Sequence, residues 1–162
     1  MFEEFNFKSS DEKNTVHALK WAPKGKPKYI LQIAHGMTEH VMRYEDFAKF
    51  LNGKGFLVCG EDHLGHGKTA ANPDDFGYCE SLEGHKNVVR DMKQLHDIIS
   101  KEYPNTPYFL LGHSMGSFLC REYIETYGDS LTGAIVMGTG HHPAFELGFA
   151  KILCRIIATF RG

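Results

Sequence analysis

The apolar positions of the chain follow two different periods, and the period predicts the type of each element. Apolar and polar residues alternate loosely over residues 4–8 and 15–21, which are separated by the polar turn SSDEKN, so this region predicts an antiparallel hairpin. Short, nearly unbroken apolar runs are typical of buried strands. Such runs occupy residues 29–34, 56–59, 108–111 and 134–137.

Segments of helical character separate these runs. Apolar residues recur at spacings of four, three and four from Val88 to Ile99, which predicts a helix with one buried face over residues 86–103. Two shorter helices are predicted over residues 44–51 and 115–127, each followed by glycine. Strands and helices therefore alternate after the hairpin. This order predicts an α/β fold with a mostly parallel sheet, helices on both of its faces and an opening antiparallel hairpin.

Three loops rich in glycine and polar residues follow three of the predicted strands. Their sequences are HGMTEH, EDHLGHG and GHSMG. In a parallel sheet the carboxyl ends of the strands meet at one edge, where ligands bind. We therefore expect the three loops to lie together and to form the functional site.

Length and composition narrow the class of protein. A chain of 162 residues with 42% hydrophobic residues is typical of one globular domain. The net charge of −2 argues against a nucleic-acid partner. The four cysteines form no CxxC pair. The first residues do not resemble a secretory signal, and no apolar run in the chain is long enough to span a membrane. We therefore expect reduced thiols and a cytoplasmic protein.

The GHSMG segment predicts a serine nucleophile. Ser114 lies directly after a predicted strand and before a predicted helix, which is the context of a strained nucleophile turn. Acyl transfer also needs two backbone donors for the oxyanion. We expect these donors to be the amides of Met115 and Met37, with Gly36 allowing a close approach. The alternative is a glycine loop that only packs on its strand.

The three motifs together resemble one family. HGMTEH followed by Arg43-Tyr44, then DHLGHG and GHSMG, are similar in order and spacing to the monoacylglycerol lipase and lysophospholipase group of α/β-hydrolases, also classed with serine aminopeptidases. The resemblance implies a serine hydrolase that cleaves carboxylic esters of lipids through an acyl-enzyme and needs no cofactor. An aminopeptidase, a thioesterase or an inactive binding module remain alternatives.

The resemblance also implies positions for further residues. Gly36, His113 and His141 are expected to border the substrate, and the loop with Asp62, His63 and His66 to support the pocket floor. A zinc site is disfavoured because these histidines lie in a glycine-rich loop without an HExxH helix. We predict no metal there, and expect His63 and His66 to hydrogen-bond loop backbone.

A complete catalytic triad is not evident in the chain. In this fold the order is serine, acid, histidine. Asp129 would lie at the opposite edge of the sheet, and Glu146 follows rather than precedes His141 and His142. We therefore expect the acid and histidine beyond residue 162, a fold that is incomplete at the C-terminus, and a chain that is inactive alone and prone to self-association.

The last residues are expected to begin a cap. Residues 1–142 would be the N-terminal part of the hydrolase core, and residues 143–162 the start of a cap or lid segment. Residues 145–160 are apolar, with Lys151 and Arg155 four positions apart. This stretch predicts either a helix that touches lipid or a membrane surface, or a helix packed on the rest of the domain.

Overall fold

A six-stranded mixed sheet with helices on both faces forms the protein in the computed structural model, which describes residues 2–79, 83–141 and 143–161. The strands are β1 Phe2–Lys8, β2 Thr15–Trp21, β3 Tyr29–Ala34, β4 Phe56–Glu61, β5 Tyr108–His113 and β6 Gly133–Met137. The α-helices are α1 Glu45–Asn52, α2 Gly84–Glu102, α3 Met115–Tyr127 and α4 Ala144–Arg161. Short 3-10 turns cover Val41–Tyr44, Pro73–Asp75 and Gly128–Ser130.

The strand order agrees with the predicted topology. Across the sheet it is β1-β2-β4-β3-β5-β6. The hairpin strand β2 pairs antiparallel with both β1 and β4, whereas β4, β3, β5 and β6 run parallel to one another. The carboxyl ends of β3, β4 and β5 therefore meet at one edge, as the crossovers through α1 and α2 require. The α/β fold predicted from the sequence is confirmed.

Successive strand residues face opposite sides of the sheet, and each side has its own core. Leu31 and Ile33 of β3 face α1, together with Ala48 of that helix. Ile30 faces the other side, where it packs with Leu95 and Ile99 of α2. All four residues of the predicted stripe on α2 are buried: Val88, Met92, Leu95 and Ile99. Burial on both faces explains the unbroken apolar runs of the central strands.

Two strands extend further than the apolar runs predicted. β4 continues through Gly60 and Glu61, and β5 through Gly112 and His113. These residues pair with neighbouring strands, for example Gly112 with Ala34. The sheet extends past the apolar run because backbone pairing does not depend on the polarity of the side chain. This extension brings the ends of β4 and β5 to the loops that carry the motifs.

The last strand and the last helix leave much apolar surface exposed. Four of the five residues of β6 are exposed, and this strand pairs only with β5 among the described residues. In α4, Phe145 and Phe149 are 76% and 70% exposed. Within residues 2–79, 83–141 and 143–161, no helix combines the length and apolar character that crossing a membrane requires.

Candidate active site

Ser114 lies in a strained turn between β5 and α3. Its φ of 52° and ψ of −115° are uncommon for a residue with a side chain. The turn positions the serine directly before the first residue of α3, and its hydroxyl makes no capping hydrogen bond to that helix. The side chain is thus half-buried at the carboxyl end of β5, and the helix terminus does not use its oxygen.

The glycines on either side of Ser114 are required by close packing. A Cβ atom at Gly112 would overlap the Gly116 carbonyl oxygen and the Cys120 side chain. A Cβ at Gly116 would overlap the Ala34 carbonyl oxygen, at the end of β3. The start of α3 therefore lies directly against β3. Only glycine at these two positions allows the turn to form.

The loop after β3 touches the serine. A Cβ atom built on Gly36 would be 3.2 Å from the Ser114 Cβ and 3.4 Å from the His113 Nδ1. The next residue, Met37, is 64% exposed at the tip of the loop. Gly36 and Met37 thus lie on one side of Ser114, and Met115 begins the helix on the other. Acyl transfer needs backbone donors close to the nucleophilic hydroxyl, and both the loop at Gly36 and the start of α3 lie next to the half-buried Ser114.

Glu39 connects this loop to the nucleophile turn, a connection that the sequence did not predict. Its Oε1 accepts hydrogen bonds from the Gly36 amide and from the Tyr44 hydroxyl, the latter at 3.0 Å. The His113 Nδ1 lies 3.1 Å from the same oxygen. Burial opposes ionisation of Glu39, but the hydrogen bonds from His113, Gly36 and Tyr44 hold its pKa below the ordinary value. The cluster therefore contains a buried carboxylate beside Ser114.

Asp62 supports the loop after β4. Its carboxylate accepts hydrogen bonds of 2.8 Å from the Val41 amide, the Lys68 amide and the buried His17 ring. Burial acts to raise its pKa, but these bonds outweigh it and hold the pKa below the ordinary value. A Cβ at Gly67, whose φ is +50°, would overlap this carboxylate. Asp62 thus braces the loop after β4 through these hydrogen bonds.

His63, His35 and Glu61 are buried beneath the same loop. The His63 ring lies 4.1 Å from the His35 ring, between centroids, and burial lowers the pKa of both histidines to about 3. Burial raises the pKa of Glu61 to about 8. The His63 Nδ1 lies 3.4 Å from Glu61 Oε1, and neither atom has a hydrogen-bond partner among the described residues. This cluster is therefore uncharged near neutral pH.

Among the described residues, His66 makes the expected hydrogen bond from its ring to the loop backbone, and His63 does not. The His66 Nδ1 hydrogen-bonds the Leu64 carbonyl oxygen at 2.9 Å, as expected. The ring of His63 makes no such bond to the described part of the chain; instead its amide donates to the His35 Nε2 at 3.1 Å. The His63 ring lies against the His35 ring, with an interplanar angle of 31°.

The other candidate histidines do not complete a catalytic pair with Ser114. His113 borders the serine, but its Nδ1 faces Glu39 and Tyr44. His141 is exposed in the segment after β6, and within residues 2–79, 83–141 and 143–161 no hydrogen bond joins it to Ser114. His142 lies outside the described residues. Across these same ranges, no three His, Cys, Asp or Glu side chains are grouped as a metal site requires.

Two apolar cavities lie next to the two methionines of the site. A cavity of about 460 Å³ is lined by Met37, by residues 65–67 and by Phe76. A second cavity, of about 400 Å³, is lined by Leu64, Val88 and Met115 with neighbouring apolar side chains. Both share the loop after β4 as a wall. The two cavities thus lie next to Met37 and Met115, the residues expected to provide the oxyanion donors.

Sequence reasoning missed Glu39 and Glu61 as members of the site. Both occur in motifs that the sequence displays, HGMTEH and EDHLGHG. The signal that was available is an acidic residue within a glycine-rich loop or at the end of an apolar strand. Their buried partners, however, lie far away along the chain, such as His113 for Glu39.

Comparison with known proteins identifies similar sequences and structures. The family model for serine aminopeptidase, S33, matches residues 25–161. Monoglyceride lipase of Mus musculus is 42% identical over 96 residues, which are 59% of this chain and 30% of that protein. Monoacylglycerol lipase of Mycolicibacterium smegmatis is 30% identical over 118 residues, or 73% of this chain and 40% of that protein.

A solved structure matches almost the whole chain. The thermostable carboxyl esterase of Bacillus coagulans, solved in complex with glycerol, has a TM-score of 0.87 and 36% sequence identity. The match covers 99% of this chain and 52% of the esterase. The chain thus spans about a third of the length of the curated lipases above and about half of this solved structure.

Proposed function

This chain belongs to the serine aminopeptidase (S33) family of α/β-hydrolases, and from that premise we propose that it carries the nucleophile and the oxyanion-binding residues of a lipid ester hydrolase. The observation that supports this proposal most directly is the strained turn at Ser114, with its φ of 52°, packed against Gly36. Strain of this kind is stored at functional sites.

In the proposed reaction Ser114 Oγ attacks the carbonyl carbon of the ester. A bond forms between Oγ and carbon, and the carbonyl electron pair moves to the oxygen, which the amides of Met37 and Met115 stabilise. The hydroxyl proton passes to a histidine base. When the tetrahedral intermediate collapses, the bond to the alcohol oxygen breaks and the alcohol leaves with that proton. Water then attacks the acyl-enzyme, which releases the acid and restores the serine.

We infer that the substrates are esters with an apolar acyl chain, such as monoacylglycerols. The two relatives named as lipases are the reason for this class. The apolar cavities next to Met37 and Met115, of about 460 and 400 Å³, offer space for the acyl and alcohol parts. Gly36 and His113 would border the reacting carbonyl, and His141 the entrance.

We further propose that this chain alone turns over esters very slowly. The Ser114 hydroxyl has no hydrogen bond to a histidine among the described residues. Removal of the triad histidine in a serine hydrolase lowers kcat by roughly a million-fold. The oxyanion donors still provide on the order of a thousand-fold acceleration over water. Residual reactivity at Ser114 is therefore expected.

Labelling with an alkyl fluorophosphonate tests the nucleophile. We expect a single adduct on the peptide that contains Ser114, formed slowly at pH 9 and absent in the Ser114→Ala variant. The half-buried Ser10, whose hydroxyl oxygen accepts a hydrogen bond from Gln94, serves as the control through Ser10→Ala, and this change should not alter the adduct. An adduct that persists in Ser114→Ala, or no adduct after prolonged incubation, contradicts the proposal. Rapid ester turnover that depends on Ser114 contradicts only the slow turnover of the isolated chain.

We also propose that α4 binds lipid surfaces. Phe145, Phe149, Ile152 and Ile156 recur at helical spacing and are 50% to 76% exposed, while Lys151 and Arg155 offer positive charge. Sedimentation with vesicles that contain one third anionic lipid should deplete the protein from solution. The Phe145→Ser, Phe149→Ser double variant should remain in solution. Equal sedimentation of both proteins would exclude this role of α4.

Self-association through the sheet edge is a separate proposal. Among the described residues, the exposed strand β6 pairs only with β5, so its outer side presents backbone groups without a strand partner there, together with apolar side chains such as Ile135, which is 48% exposed. Analytical ultracentrifugation should show dimers or larger species at micromolar concentration. Replacement of Ile135 by Lys should shift the chain towards the monomer. A wild-type chain that remains monomeric over the whole concentration range of the experiment would contradict this proposal.

A further inference from the structure

Glu39 has no assigned role in the reaction, yet its carboxylate lies between the oxyanion loop and the nucleophile turn. We propose that Glu39 is a positioning residue that holds residues 35–40, here called the oxyanion loop, in place beside Ser114. The inference rests on the proposed function for its catalytic consequence. Its structural part, a carboxylate that fixes the loop, can be tested separately.

Glu39 closes the oxyanion loop on itself. Its side chain reaches back three residues, and Oε1 accepts the hydrogen bond of the Gly36 amide. Thr38, at the tip of the resulting turn, has a φ of 58°, which is uncommon for a residue with a branched side chain. This conformation has to be supported by its surroundings. The bond to Gly36 provides such support and leaves the Met37 amide at the tip.

The same carboxylate oxygen of Glu39 also contacts two other segments. Tyr44 follows the loop in the chain, and its hydroxyl donates a hydrogen bond to Glu39 Oε1 at 3.0 Å. The Nδ1 of His113, at the end of β5, lies 3.1 Å from the same oxygen. The Tyr44 hydroxyl oxygen also lies 3.3 Å from the His113 Nδ1. Because His113 directly precedes Ser114, one carboxylate oxygen joins the loop to the nucleophile turn. A shift of the loop would break all three contacts.

The carboxylate of Glu39 is buried and is compensated by its neighbours. The Glu39 side chain is only 7% exposed, and its second oxygen lies 3.4 Å from the Arg43 guanidinium. A buried carboxylate is stable only when hydrogen bonds and opposite charge compensate it. Its hydrogen bonds lower its pKa, so the group is ionised at neutral pH and accepts donors from all three directions. A shorter side chain cannot reach these donors, whereas a neutral one of the same length keeps the acceptor oxygen and loses only the charge that faces Arg43.

The space around Gly36 leaves little room for a change in the position of the loop. A Cβ at this glycine would lie 2.7 Å from Glu39 Oε1 and 3.2 Å from the Ser114 Cβ. The glycine is therefore held directly between carboxylate and nucleophile. Loss of one oxyanion donor costs about 100-fold to 1,000-fold in rate, and a misplacement of about 1 Å costs about 100-fold. Release of the loop should fall in this range.

The test compares Glu39→Ala and Glu39→Gln with the control Glu45→Ala. Glu45 is a nearby carboxylate at the start of α1 that pairs with Lys49 and lies outside the loop. The rate of fluorophosphonate labelling of Ser114 is measured against probe concentration. Glu39→Ala should lower the maximal rate about 100-fold with the half-saturating concentration unchanged. Glu39→Gln, which keeps the acceptor oxygen, should restore most of the rate, and Glu45→Ala should react like wild type.

Hydrogen exchange of the amides of residues 36–38 is the second measurement. Glu39→Ala should accelerate exchange in the loop while the melting temperature shows that the fold is retained. If wild type is labelled and Glu39→Ala reacts at the same rate, the positioning role is wrong. If wild type is not labelled, the proposed function fails, and exchange alone decides about Glu39. Unchanged exchange in Glu39→Ala overturns the inference in either case.

Discussion

The buried carboxyl of Glu61 should make the stability of this protein fall as the pH rises above neutrality. Its side chain is 1% exposed at the end of β4. Burial, and to a smaller extent the charge of Asp62, raise its pKa from 4.5 to about 8. Between these two values the Glu61 carboxyl binds a proton in the folded protein that it loses in the unfolded chain. The contribution of Glu61 to the free energy of unfolding therefore falls with increasing pH in this window.

The magnitude follows from the same values. A difference of about 3.5 pH units at 1.36 kcal/mol per unit corresponds to about 5 kcal/mol between pH 4.5 and pH 8. His35 and His63 act in the opposite direction. Their pKa of about 3 lies below the ordinary 6.5. Their contribution to the free energy of unfolding is therefore complete above pH 6.5 and is lost as the pH falls towards 3. Stability should therefore be highest near pH 6.5 and fall by about 2 kcal/mol up to pH 8.

Glu61→Gln isolates this effect because it removes the titrating proton and keeps the shape. Urea unfolding between pH 6 and 9 can be followed through the fluorescence of Trp21, the single tryptophan, which is buried. Wild type should lose about 2 kcal/mol between pH 6.5 and 8, and Glu61→Gln should lose much less. The exposed Glu125→Gln should behave like wild type. Equal pH dependence in wild type and Glu61→Gln would refute the reasoning.

Three further changes test the packing around the site. Gly116→Ala places a Cβ on the Ala34 carbonyl and should prevent folding or lower the melting temperature strongly. Its control is Gly148→Ala, which has open space around it and should leave stability unchanged or raise it by up to about 1 kcal/mol. Asp62→Ala removes three hydrogen bonds from buried or partly buried donors and should cost about 3 to 5 kcal/mol in urea unfolding. Ile33→Ala, in the core between β3 and α1, should cost about 2 to 5 kcal/mol. A Gly116→Ala protein that melts like wild type would contradict the packing described. A loss of less than about 1 kcal/mol in the free energy of unfolding for Asp62→Ala or Ile33→Ala would contradict it as well.

The local pattern of residues was sufficient for the elements and for the nucleophile turn. Each apolar run became a strand and each helical period a helix, with α3 at the predicted boundaries of Met115 and Tyr127. The position of Ser114 between β5 and α3 also followed from the motif and its flanks. These features depend on neighbours within a few residues, because the period of a strand or helix and the freedom of glycine are local properties.

The ends of strands were less predictable because pairing, and not side-chain polarity, decides where a strand stops. Glu61 shows the difference. As a charged residue after an apolar run it indicates a loop, yet it continues β4 and is buried beside His63. Its neutral state becomes favourable only because the fold excludes water from it. No local pattern contains that information.

The sequence by itself therefore determined the order of strands and helices, the edge of the sheet at which the motifs meet, and the serine in its turn. Only the tertiary structure decided which groups surround that serine. Glu39 meets His113 across 74 positions of the chain, and this contact exists because β3 and β5 are neighbours in the sheet. Hydrogen bonds and desolvation act through space, so the charge and the position of such a group depend on neighbours that the folded backbone brings together.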